Sequence, residues 1–152
     1  MHFLTLVLVP DSNKTTSEIL GCAHRMLTFY DRNLREPWTE YGEPENPFGE
    51  WDWMTLGGRW DGVVTGQAVD WLASKRRREP FGSRVKRNLV KVRKLPPNLV
   101  PGAIITPDGQ WHDEYEDFGQ WSKDADPRWR ELVHATFKMN SECYAVAVDC
   151  HS

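Results

Sequence analysis

The strongest constraint on how this chain can fold lies at its two ends. Phe3–Val9 reads FLTLVLV and Cys143–Val148 reads CYAVAV. Both are unbroken apolar runs rich in β-branched residues; the first is stopped by Pro10-Asp11 and the second gives way to Asp149-Cys150-His151-Ser152. Runs of this length and composition predict buried strands, and they suit two adjacent strands at the centre of a sheet. Between them, Ser17–Tyr30 carries Ile19, Leu20, Ala23, Met26, Leu27 and Tyr30 at helical spacing, behind capping residues at Asn13–Thr16. Asp126-Pro127 opens a second amphipathic helix to about Lys138, with Trp129, Leu132, Val133 and Phe137 on one face.

The middle of the chain is less periodic. Asp31–Glu50, rich in Pro, Gly, Glu and Asn, reads as a long loop, and a loop of that length in a compact domain is often functional. Trp51–Thr65 is expected to form two strands around Gly57-Gly58, a pair that tolerates the positive φ of a tight hairpin. Ala68–Arg78 predicts a short helix, Ser83–Arg87 a loop and Asn88–Arg93 a strand. Ala103–Thr106, the turn Pro107-Asp108-Gly109 and Gln110–Glu114 make a second hairpin, followed by an acidic loop over Glu116–Asp126. The order strand, helix, hairpin, insertion, hairpin, helix, strand points to one α+β domain spanning 1–152. The expected architecture is a ferredoxin-like sandwich, an antiparallel sheet with two main helices on one face, a long loop and a basic insertion.

Composition excludes several classes. Three cysteines, Cys22, Cys143 and Cys150, form no CxxC pair and leave an odd count, against a disulfide framework or a cysteine-rich zinc site. Met1–Pro10 lacks the basic region and cleavage site of a signal peptide, and no apolar stretch is long enough to span a membrane. A cytoplasmic location is the expectation. There is no Walker loop, no GxGxxG, no GxSxG and no paired HxT or HxS.

Eight tryptophans exceed what a core of this size needs, so some are expected to line a cleft. Trp51, Asp52, Trp53, Arg59 and Trp60 concentrate three indoles, a carboxylate and a guanidinium in one hairpin. Such a set can stack on a planar ring and fork-bond an anionic group. Trp51 and Trp53 are expected on one side of their strand and Asp52 on the other. His112, flanked by Asp113 and Glu114, and the pair Asp149 and His151 on one face of the last strand are the catalytic candidates, as acid–base groups or metal ligands. No recognised zinc spacing is present, so no metal is assigned. Lys75–Lys94 holds ten of the nineteen Lys and Arg residues against one acid, Glu79. Arg76, Arg77, Arg78, Arg84, Lys86 and Arg87 within it are candidates for contact with nucleic acid or an acidic host protein, or for pairing with the chain's own acids.

Three blocks together, Trp51-Asp52-Trp53 with Gly57-Gly58-Arg59-Trp60, Thr106–His112, and Val148-Asp149 with His151, give the chain a resemblance. It resembles a group of small uncharacterised bacterial and phage proteins with a WDWxxxGGRW core, a TPDGxWH turn and a C-terminal VDxH. The likeness covers about a third of the chain and leaves out the basic segment. The group has no established activity, so the likeness supplies grouping and no mechanism; a phage or mobile-element setting would carry the expectation of interference with a host system.

Three functions follow as expectations. The first is a binding protein for a small, planar, anionic, nucleotide-like ligand, with Trp51, Trp53 or Trp60 stacking, Arg59 holding the anion, and His112 and Asp149 fixing orientation. The second is a metal-assisted or acid–base hydrolase of phosphoester or amide bonds using His112, Asp149 and His151, with Arg59 stabilising negative charge. The third is an inhibitor or interaction protein working through the basic segment.

Overall fold

The computed structural model describes residues 1–12, 14–34, 46–70, 79–119 and 124–152. The two terminal runs become β1 (His2–Val9) and β6 (Tyr144–His151), antiparallel partners over their full length from His2↔His151 to Val9↔Tyr144. They form the centre of a six-stranded mixed sheet with order β2-β6-β1-β4-β5, in which β2 is Trp53–Leu56, β4 is Ala103–Ile105 and β5 is Trp111–Asp113. The sixth strand, β3 (Leu89–Lys91), continues the β2 edge, pairing with Tyr144–Val146 while β2 pairs with Val148–His151.

Strict alternation sorts β1 between two cores. Phe3, Val7 and Val9 face one cluster, while Leu4, Leu6 and Leu8 face the other. Helix α1 (Thr16–Thr28) covers the first face with Ile19, Ala23 and Leu27. Thr15 caps its start: Oγ1 accepts from the Glu18 amide and donates to Glu18 Oε1. The long C-terminal helix, Pro127–Met139, covers the second face with Trp129 and Val133; Asp126 caps its N-terminus. Two shorter helices lie before it, α2 (Phe81–Asn88) and α3 (Glu114–Phe118), so the long helix is α4.

The α+β domain therefore differs from the expected two-layer sandwich in two respects. Its long helices lie on opposite faces, and β1 pairs with β4 in parallel. The terminal runs are apolar throughout because both of their faces are covered. The turn at Thr106–Gln110 forms as expected, with Gly109 at φ +85° and its amide bonded to the Thr106 carbonyl.

Gly57-Gly58 does not close a hairpin. The chain leaves β2 and makes a 3₁₀ turn at Gly58–Trp60 and a second at Val63–Thr65, in place of the expected second strand. Both glycines have positive φ and both lie against buried polar side chains. A Cβ on Gly57 would sit 2.6 Å from Asn88 Nδ2, and one on Gly58 would overlap the Asp149 carboxyl. Asn88, fully buried at the end of α2, accepts from the Gly62 amide (3.0 Å) and donates to Asp61 Oδ1 (2.7 Å) and the Arg84 carbonyl (2.9 Å).

Arg87 then grips Asp61 and Glu79 together, with its four guanidinium contacts between 2.6 and 3.2 Å. Burial alone would raise the Asp61 pKa, but the hydrogen bonds from Arg87 and Asn88 outweigh it and hold the carboxyl below its ordinary range. The expected loop at Ser83–Arg87 is thus helical, because this polar network and buried Val85 tie it to the turns beneath. The expected helix at Ala68–Arg78 falls mostly, and the loop at Asp31–Glu50 partly, outside the described residues.

Among the described residues no helix is long and apolar enough to cross a membrane. Replacing Asn88 by Ala strands the Gly62 amide and removes one donor from Asp61. We expect a loss of about 3 kcal/mol in urea unfolding, from buried groups left without partners.

Candidate functional site

β1 and β6 end together, and that end carries the polar cluster of the sheet. His2 and His151 are direct cross-strand partners, Trp53 of β2 is the next partner of His151, and Asp149 lies one step down β6 on the same face. The two imidazoles stand with ring centroids 4.9 Å apart, and the Trp53 ring meets His2 edge-on at 5.6 Å. Each ring is held through Nδ1 by its own carboxylate: His2 by Asp149 Oδ1 at 3.0 Å, His151 by Asp52 Oδ1 at 2.8 Å.

The two carboxylates live in different surroundings. Asp149 is completely buried, and its other oxygen accepts the backbone N–H of Arg59 at 3.0 Å, across the gap that Gly58 leaves. Asp52 is exposed, and the hydrogen bond from His151 holds its carboxyl below the ordinary value of 3.8. A carboxylate behind Nδ1 selects the tautomer with the proton on Nδ1, which leaves Nε2 of each neutral ring as an acceptor.

Beside His2 a cavity of about 350 Å³ opens between the sheet and α4, lined by His2, Leu4, Trp60, Pro101, Glu114 and Trp129. Trp129 is buried, its indole N–H bonded to the Pro101 carbonyl, and forms a fixed wall. Glu114 is also buried, with Oε1 accepting from the Asp126 amide at 2.6 Å. The neighbouring Ala125 has φ +36°, a conformation that a side chain rarely adopts.

Against this geometry the sequence candidates divide. Asp149, His151, Asp52, Trp53 and the Arg59 backbone come together, and Trp60 stands at the adjoining cavity. The Arg59 side chain is exposed. Trp51 is elsewhere: it is buried in the α1-side core, donating its indole N–H to the Leu27 carbonyl. It does not share a surface with Trp53 because β2 begins only at Trp53, so strand alternation does not extend back to Trp51. For the same reason Asp52 turns toward His151, not away from the Trp53 side.

His112 also lies apart from the cluster. On β5 it is level with Leu6 of β1, four residues along from His2 and two strands across. That is roughly 13 Å along the strand direction alone. It stands 3.6 Å from Asp117 and lines a different cavity with Asp108, Thr136 and Asn140.

The basic segment is partly neutralised by the chain's own acids. Arg87 binds Asp61 and Glu79, Lys91 binds Asp11, and Arg93 binds Glu142. Lys86 is exposed and Arg84 half-buried on α2, while Arg76, Arg77 and Arg78 lie outside the described residues.

His2 is the member that the sequence reading missed. Its signal is alternation: counting back from Leu8, Leu6 and Leu4 puts residue 2 on the same face, and pairing the two terminal strands sets it beside His151. Cys150, between Asp149 and His151, points to the opposite face, and burial pushes its thiol pKa up to about 12, so it is not a nucleophile at neutral pH. Scans of family models, curated proteins and solved structures gave no match for this chain.

Two outcomes follow. Gly58→Ala meets both the strain of positive φ and the Asp149 carboxyl, and we expect it to destabilise by more than about 1 kcal/mol and to shift the His2 imidazole resonances. In His151→Ala, Asp52 loses the partner that lowers its pKa, so its carboxyl resonance should titrate closer to 3.8 than in the parent. The sign follows from linkage. A depressed carboxylate pKa gives stability that is present above the unfolded value and lost as pH falls through the folded one. The His151 variant should therefore lose less of its remaining stability on acidification below pH 3.8.

Proposed function

We propose that the chain binds a planar, nucleotide-like phosphoester and cleaves it by acid–base catalysis between His2 and His151. The observation that carries this reading is the pair of carboxylate-backed imidazoles 4.9 Å apart on neighbouring central strands. Phosphoester cleavage needs one group to take a proton from the attacking hydroxyl and another to give one to the departing oxygen. A neutral imidazole does the first through Nε2 and an imidazolium the second, after which their protonation states are exchanged.

Asp149 and Asp52 set ring orientation and stabilise whichever ring is charged. Carrying the two rings on the paired ends of the central strands keeps the reacting groups in position, which is where much of the barrier reduction arises. Arg59 begins in the turn that contacts Asp149, so its guanidinium is within a side chain's length of the site and complements a phosphoryl anion. The cavity beside His2 suits the planar part of the ligand, with Trp60 as the stacking surface.

The test is turnover of chromogenic and dinucleotide phosphodiesters by the purified protein. His151→Ala should lower kcat by about 10²–10⁴-fold with the circular dichroism spectrum unchanged, and the bell-shaped pH profile should lose one limb. Trp60→Ala should raise KM while leaving kcat near the parent value. Turnover that persists in His151→Ala would remove the catalytic reading. Saturable ligand binding with no turnover in the parent would leave a binding protein.

A further inference from the structure

We infer that His2 and His151 also form a chelating site for a borderline divalent metal ion, of which zinc is the probe of choice. The site is defined by its geometry and does not depend on the catalytic reading. The two residues are directly opposite each other on antiparallel strands and project from one face, the arrangement in which side chains approach most closely across a sheet. Each Nδ1 is committed to a carboxylate at 3.0 or 2.8 Å, so each neutral ring keeps its lone pair on Nε2.

A carboxylate behind the remote ring nitrogen is the usual support of a metal-bound histidine, since it fixes the tautomer and strengthens the nitrogen as a donor. The spacing fits as well. With Zn–N bonds of about 2.0 Å at a tetrahedral angle, two imidazoles sharing one ion place their centroids about 5 Å apart. The observed separation is 4.9 Å.

Among the described residues no group of three or more His, Cys, Asp or Glu side chains is arranged to hold an ion. Asp149 and Asp52 approach the imidazoles from the Nδ1 side and so act behind the ligands. Solvent or a ligand anion must complete the coordination, which makes this an open, exchangeable site. Imidazole donors favour zinc, nickel and copper over magnesium and calcium. A metal on both Nε2 atoms takes the lone pairs that proton transfer uses, so occupancy of the site and acid–base turnover exclude each other.

The experiment is calorimetric titration of the full chain with zinc chloride near pH 7.5, with cobalt(II) absorption as a spectroscopic check. We expect one zinc per chain. His151→Ala should weaken binding about tenfold or more and remove the cobalt bands. Asp52→Ala, at an exposed side chain whose loss leaves the core intact, should weaken it about 10–100-fold. His112→Ala should bind as the parent does.

The inference is overturned if zinc does not saturate, if binding survives both His151→Ala and Asp52→Ala, or if His112→Ala weakens it equally. The two readings fail separately. Zinc binding without phosphodiester turnover removes the catalytic reading and leaves the metal site. Turnover that neither binds nor is inhibited by zinc does the opposite.

Discussion

The buried carboxylate of Asp149 is the constraint around which this end of the molecule is arranged. A carboxyl side chain with no exposure, on a central strand between two apolar cores, is tolerated only where its oxygens find hydrogen-bond partners. One comes from His2 on the adjacent strand, the other from the Arg59 backbone in the turn after β2. The first tie orients an imidazole; the second draws the Gly58–Trp60 turn over the strand end and sets Trp60 at the cavity. His151 follows two residues later on the same face, at the surface, where its own partner Asp52 is solvated. One buried anchor thus places a histidine on one side, a backbone turn on the other, and an exposed His–Asp pair above it.

The parts of the fold legible from the chain alone are those that burial writes directly into composition. Both terminal strands, their adjacency, the two long helices and the Thr106–Gln110 turn were readable, because apolar runs, capping residues and turn residues each have a local cause. The layer arrangement was not. The unbroken apolar runs are themselves the mark of strands covered on both faces, but the element order strand, helix, hairpin, helix, strand is shared with a two-layer sandwich and points the other way.

The misreadings in the site share a physical origin. Gly57-Gly58 signals positive φ, but a hairpin and a close approach to buried side chains demand the same backbone freedom, and the sequence does not distinguish them. Trp51 and Trp53 look equivalent under alternation, yet only one of them belongs to the strand, and the other serves as core. His2 passed unnoticed because it sits in no motif; its role comes from pairing between the two ends of the chain. His112 has neighbours as suggestive as those of His151, and only the three-dimensional register separates them.

The adjacency of Gly57 and Gly58 has a mechanical consequence. These two residues lie against different buried groups, one belonging to the Asn88–Asp61–Arg87 network beneath α2 and the other to Asp149. Each glycine is packed against its own buried group with no room for a Cβ, so the two polar networks meet in this one dipeptide. A displacement of α2 therefore has a backbone route to Asp149 and, through it, to His2. The basic helix and the paired histidines are thus tied to neighbouring residues of one chain turn, with Asn88 packed on Gly57 and the carboxylate that holds His2 packed on Gly58.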